Sequence, residues 1–89
     1  MKEIWVFNGT DARFPFGIFE KRADAEEWIA KNGLTGVLTK YPVGVSVYEW
    51  ATANGHFRAR NKKEESAAFI QTFSSAAQAH IHFDGGSAQ

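Results

Sequence analysis

The sequence predicts an α+β fold: a small, mostly antiparallel sheet of about four strands with two to three helices packed mainly on one face, in the order β-β-α-β-α-α-β. Two observations carry this prediction. Residues 16–29 change from the apolar pattern of a strand to the spacing of an amphipathic helix, and residues 78–83 alternate strictly between apolar and polar side chains. We expect a single domain over residues 1–84, followed by a flexible tail at 85–89.

The N-terminal half predicts a hairpin followed by a helix. Residues 4–7 are apolar and partly β-branched, and an Asn-Gly turn signal follows them. Residues 13–20 return as the second strand. Residues 22–32 place their apolar side chains on one helical face, and Gly33 supplies the residue that ends the helix.

The centre of the chain predicts a third strand and a second helix. Residues 36–41 form the strand. Ser46 and Glu49 have the spacing of a capping box, which predicts a helix over residues 46–54. The alternating valines of residues 43–47 leave a strand open as the alternative.

The C-terminal part predicts a third helix and a fourth strand. A charge run, residues 58–65, leads into a helix at about 65–73, in which Phe69 and Phe73 share one face. The alternation of residues 78–83 predicts a half-buried antiparallel strand.

Composition limits the classes of function. Lys and Arg number 10 and Asp and Glu number 10, so the formal net charge is zero. A neutral chain lacks the positive field of a general nucleic-acid binder or of a membrane-surface protein. Without Cys there is no thiolate nucleophile or thiolate metal site. No apolar stretch has the length of a membrane span, and we expect a cytoplasmic protein.

No motif for catalysis, phosphate binding or a cofactor is recognisable, so we expect a non-enzymatic protein without cofactor or metal. One pattern in the sequence favours a metal site instead. His80 and His82 share a strand face about 6–7 Å apart, and His56 or Asp84 is the candidate third ligand. Two solvent-facing histidines also satisfy the strand alternation without any metal.

A small nucleic-acid-binding or regulatory domain is the runner-up function. Exposed aromatic side chains on neighbouring strands would provide a stacking platform, and the candidates are Trp5, Phe7, Phe14 and Phe16. A basic run would track a phosphate backbone, and its members are Arg58, Arg60, Lys62 and Lys63. Core packing of the aromatic residues and the neutral net charge argue against this function.

Protein binding is the leading function. Aromatic side chains that combine an apolar body with a polar tip are typical interface anchors. Several surround the loop at 42–46, with an acidic neighbour, and the two strand histidines add a polar surface. The predicted partner-binding residues are Tyr41, Tyr48, Glu49, Trp50, His80 and His82.

Several segments together resemble a family of small, standalone bacterial proteins that is a domain of unknown function. They are Phe16-Gly17-Ile18-Phe19, Ala25-Glu26-Glu27-Trp28-Ile29, Leu34-Thr35-Gly36-Val37-Leu38-Thr39-Lys40-Tyr41-Pro42, Val47-Tyr48-Glu49-Trp50-Ala51 and Phe73 to Phe83. The resemblance assigns no catalytic residue. By analogy of size it implies an immunity protein that inhibits a cognate bacterial toxin by direct binding. The sequence does not give the oligomeric state.

Overall fold

The computed structural model describes residues 2–89 and has an α+β architecture in which a five-stranded antiparallel sheet is combined with three helices. The strands are β1 (Glu3–Gly9), β2 (Gly17–Phe19), β3 (Gly36–Pro42), β4 (His80–Asp84) and β5 (Ser87–Ala88). The helices are α1 (Arg22–Asn32), α2 (Val47–Ala53) and α3 (Ala67–Ile70), and a 3₁₀ turn spans Lys62–Glu65.

The strand order in the sheet is β2-β1-β3-β4-β5, and all the pairings are antiparallel. The register places Phe7 opposite Leu38 and Leu38 opposite Ile81. Because directly opposed residues point to the same side of a sheet, these three side chains share one face. That face carries the core.

Helix α1 covers the core face. Its Ala25 and Ile29 are fully buried, and they pack with three strand side chains, Phe7, Leu38 and Phe83. Trp28 borders this core, and its ring meets the ring of Phe7 edge to face at 5.9 Å. The helix ends at Gly33, whose φ of 61° is the left-handed conformation that glycine adopts most readily. Both the bounds and the end of α1 agree with the sequence-based prediction.

A second apolar group lies outside this core. It is formed by four aromatic rings from α2, α3 and their connections: Tyr48, Phe57, Phe69 and Phe73, called here the aromatic cluster. Helix α2 begins at Ser46, whose Oγ accepts a hydrogen bond from the Glu49 backbone N–H at 3.1 Å. The cap that the Ser46–Glu49 spacing predicts is therefore present, and the alternative strand over 43–47 is not.

The structure departs from the prediction at three places. The second strand is limited to β2 (Gly17–Phe19) instead of 13–20, after a loop that contains Pro15, which has no N–H for a ladder hydrogen bond. The third helix is shorter than 65–73 because Ser66 is extended and caps α3 instead of continuing a helix.

The C-terminal residues are the third departure. A flexible tail was predicted at 85–89, but Gly85 and Gly86 both have positive φ, 58° and 91°, and form a two-residue hairpin turn. Ser87 then pairs with Asp84, which adds the fifth strand.

Candidate functional site

The face of the sheet opposite α1 is the strongest candidate for a functional surface, and it is called the open face below. Its side chains follow from the strand register, because they alternate with the core residues. The members are Ile4, Val6, Asn8, Ile18, Val37, Thr39, Tyr41, His80 and His82. None of these side chains is buried, whereas the core face has Phe7, Leu38 and Phe83 at 4% exposure or less.

Apolar side chains occupy the middle of the open face. Ile18 is 67% exposed, and Val6 and Tyr41 are half-buried. Val6 and Ile18 are directly opposed across β1 and β2, so they form one continuous patch. A shallow cavity of about 430 Å³ is lined by both of them together with Tyr41 and Thr39.

A second cavity adjoins the first. It has a volume of about 340 Å³ and shares Thr39 and Tyr41 with its neighbour. The two imidazoles of His80 and His82 lie on one side, and the segment that contains Ser74 and Ser75 lies on the other. The open face therefore changes from apolar beneath β1 and β2 to polar beneath β4.

The predicted partner-binding residues divide into two groups. Tyr41, His80 and His82 lie together on the open face. Tyr48, Glu49 and Trp50 are on α2, and Tyr48 belongs to the aromatic cluster. The sequence groups Tyr41 with the α2 residues around the loop at 42–46, whereas the strand register groups it with His80 and His82 on the open face.

Tyr48 has a structural role that the sequence left open. Its ring packs against Phe57 and Phe73 with ring centres 5.4 and 5.3 Å away. Its hydroxyl donates a hydrogen bond to the backbone carbonyl of Glu64 at 2.8 Å. Tyr48 thereby joins α2 to the 3₁₀ turn, so replacing it by Ala would disturb the aromatic cluster as well as any partner contact.

We expect Tyr48→Phe to lower the free energy of unfolding by about 1 kcal/mol. The change keeps the ring in the aromatic cluster but leaves the partly buried Glu64 carbonyl without its donor. Urea unfolding followed by fluorescence measures the effect. Thr52→Val is the control, because it removes an exposed hydroxyl that donates to the Tyr48 carbonyl. Equal losses in the two variants would contradict this role for Tyr48.

Glu49 and Trp50 have local partners. The Glu49 carboxylate accepts a hydrogen bond from the Ser46 hydroxyl at 3.2 Å and is exposed. Trp50 is half-buried, and its ring lies over the His56 ring with centres 5.2 Å apart. Both side chains have a place in the fold of α2, and neither reaches the open face through these contacts.

The structure also shows where the residues considered for metal binding and nucleic-acid binding lie. No three His, Cys, Asp or Glu side chains within residues 2–89 are grouped to hold a metal ion, and His56 packs on Trp50 instead of joining the strand histidines. Of the proposed stacking platform, Phe7 is buried under α1. In the basic run, Arg60 lies 3.8 Å from the carboxylate of Glu64.

Sequence reasoning missed the apolar part of the open face. Its members are Ile4, Val6, Ile18 and Val37, which were assigned to strands but not to a surface. The signal was present in β1, where Ile4-Trp5-Val6-Phe7 is apolar on both faces. Such a run is typical of a strand covered on both sides. In this sheet α1 covers one side of β1, and the apolar side chains on the other side are only partly buried.

Comparison with known protein families identifies the family to which this chain belongs. A family model described as "Domain of unknown function (DUF7710)" matches residues 4–89. This match confirms the resemblance to a domain of unknown function. No curated protein and no solved structure matches the chain. Within residues 2–89, none of the helices has the length and apolar character needed to cross a membrane.

Proposed function

The chain belongs to the DUF7710 family, a domain of unknown function, and we propose that it is a non-enzymatic protein-binding module whose partner docks on the open face of the sheet. One observation carries the proposal: β1 presents apolar side chains to both sides, and on the side opposite α1 the neighbouring Ile18 is 67% exposed. A contiguous exposed apolar patch with a polar surround is typical of a protein interaction site.

The composition of the open face supports a protein as the occupant. Its centre is formed by aliphatic side chains and Tyr41, and no Lys, Arg, Asp or Glu lies among them. Its rim is polar, with Asn8 at one end of β1 and a Lys2–Glu20 ion pair of 3.4 Å at the other. Protein interfaces have this arrangement of an apolar centre depleted in charge and a solvated polar rim.

The finer form of the proposal names the partner. We propose a bacterial toxin, which this domain inhibits in the cytoplasm by covering the active site of the toxin. The support is the small single domain and its resemblance to standalone bacterial proteins. In this function Tyr41 acts as an aromatic anchor, while the polar side of the open face supplies hydrogen bonds.

We expect Ile18→Lys to weaken partner binding by about 2 kcal/mol, which is about thirtyfold in Kd. The substitution puts a charge into the apolar patch beside Val6, where docking would remove its water. Ile18 is exposed on the short edge strand, so the fold should be unchanged. The measurement is capture of the partner from a lysate of the source organism, followed by titration of the captured protein.

Ile70→Lys is the matched control, since Ile70 is 40% exposed but lies on α3 and does not line either cavity of the open face. The proposal requires that Ile70→Lys binds like the unmodified protein. Equal affinity of Ile18→Lys and the unmodified protein would exclude the open face as the interface. A captured protein whose toxicity is suppressed by the unmodified domain, and less by Ile18→Lys, would support the toxin assignment.

A further inference from the structure

His80 and His82 form a close imidazole pair at the polar side of the open face. Their ring centres are 5.4 Å apart, and the ring planes are inclined at 83°. Both residues are exposed and project from the same face of β4. Their strand spacing brings the two side chains together without help from another element.

The His80 ring is held by a backbone contact. Its Nδ1 lies 2.7 Å from the carbonyl oxygen of Gln78. A carbonyl oxygen only accepts, so Nδ1 is the donor in this contact, and in the neutral imidazole Nε2 then has the free lone pair. A ring N–H donated to a backbone carbonyl is the usual second contact of a histidine that binds metal through its other nitrogen.

Gln78 is itself fixed in the structure. It is 6% exposed, and its side-chain amide donates to the Lys40 carbonyl at 3.1 Å. Residue 79 is likewise tied to β3, because the Lys40 N–H donates to the Ala79 carbonyl at 2.9 Å. The carbonyl that orients His80 therefore belongs to a buried residue whose side chain and neighbour are both hydrogen-bonded to β3.

The distance between the rings fits one shared ion. Imidazole nitrogens bind zinc-like ions at about 2.0–2.1 Å in a tetrahedral arrangement. With the ion on the lone-pair axis of each ring, this geometry puts the two ring centres about 5.2 Å apart. The observed separation of 5.4 Å is close to that value.

We propose that His80 and His82 together bind one divalent transition-metal ion, with His80 using Nε2 and with water in the remaining positions. The adjoining cavity of about 340 Å³ has room for that water, and the hydroxyls of Thr39, Ser74 and Ser75 line it. Imidazole ligands select copper, nickel and zinc over magnesium and calcium. Two protein ligands give an exchangeable site that is open to a further ligand from another molecule.

Metal titration of the untagged full chain tests this inference. In a non-chelating buffer at pH 7.5, calorimetry with Cu²⁺, Ni²⁺ and Zn²⁺ should show one site, tightest for Cu²⁺. His80→Gln and His82→Gln should each weaken binding by about tenfold or more. His82→Gln keeps the His80–Gln78 contact, so its loss of affinity would reflect the missing ligand. Circular dichroism checks that both variants fold.

His56→Gln is the matched control, because His56 is the third histidine of the chain and packs against Trp50. It should bind metal like the unmodified protein. No binding of any of the three ions would overturn the inference. So would binding that is unchanged in the two strand variants, or binding that His56→Gln also loses. The test needs no protein partner, so its outcome is separate from that of the docking proposal.

Discussion

Gly36→Ala should destabilise the fold by about 3 kcal/mol or more, although it adds a single methyl group. A Cβ at this position would overlap the carbonyl oxygen of Asn8 and would lie 2.8 Å from Cζ of Phe7 and 2.9 Å from Cα of Gly9. Two of these atoms belong to the part of β1 that pairs with β3, so relieving the overlap would disturb the pairing of these two strands. Denaturant unfolding measures the loss.

Gly9→Ala is the control for this prediction, because Gly9 is the residue paired with Gly36 across β1 and β3. Its Cβ would meet nothing closer than 3.8 Å, and its φ is not in the left-handed region. We expect the free energy of unfolding to change by no more than about 1 kcal/mol. The change would be stabilising where the added methyl group acts mainly by restricting the unfolded chain. A similar large loss for both glycines would contradict the steric account.

Phe7→Ala should cost about 3–5 kcal/mol. Phe7 is 1% exposed, and its ring meets Trp28 and Phe16 edge to face, with centres 5.9 and 6.4 Å away. Removing it leaves a cavity that the sheet cannot close, because β1 is a central strand. A domain of this size has a total stability of only about 4–13 kcal/mol, so thermal unfolding should shift strongly downward.

Phe14→Ala is the control for Phe7→Ala, because it removes a phenylalanine ring that lies at the surface. Phe14 is 72% exposed, and the guanidinium of Arg13 lies 5.8 Å from its ring centre. We expect a change within about 0.5 kcal/mol. If Phe14→Ala proved as costly as Phe7→Ala, the assignment of the core to the α1 side of the sheet would be wrong.

The local signals in the sequence were sufficient for most of the fold. The spacing of Ala25 and Ile29 predicted α1, and Gly33 predicted its end. The Ser46–Glu49 pair predicted the start of α2 against a competing alternation. Helix ends form through hydrogen bonds within one turn of backbone, so the patterns that predict them do not depend on distant residues.

The predictions were wrong where the same residues are compatible with two local structures and distant contacts determine which one forms. The Gly85-Gly86 pair was interpreted as the beginning of a tail, although the same dipeptide forms a two-residue hairpin turn. Ser66 was interpreted as the interior of a helix but ends one segment and caps the next. In both cases the residue type fits two structures, and tertiary packing selects one.

The candidate site was less accessible from sequence. Tyr41, His80 and His82 come from strands far apart in the chain, and their common surface depends on the β3–β4 register. Periodicity assigns a residue to one face of its own strand but not to a face relative to other strands. The place of Tyr48 in the aromatic cluster likewise depends on where α2 packs, which no local pattern encodes.

The strand order also has a consequence for the order of assembly. Strands β1, β2 and β3 and helix α1 all come from residues 3–42, whereas β4 pairs with β3 only after the chain has traversed α2 and α3. Closing that long connection costs chain entropy, so nonlocal pairing forms late. During synthesis from the N-terminus, the free edge of β3 and one side of Leu38 stay uncovered until Ile81 and Phe83 arrive. The nascent three-stranded intermediate therefore exposes a template for pairing with other chains, and β4 removes it.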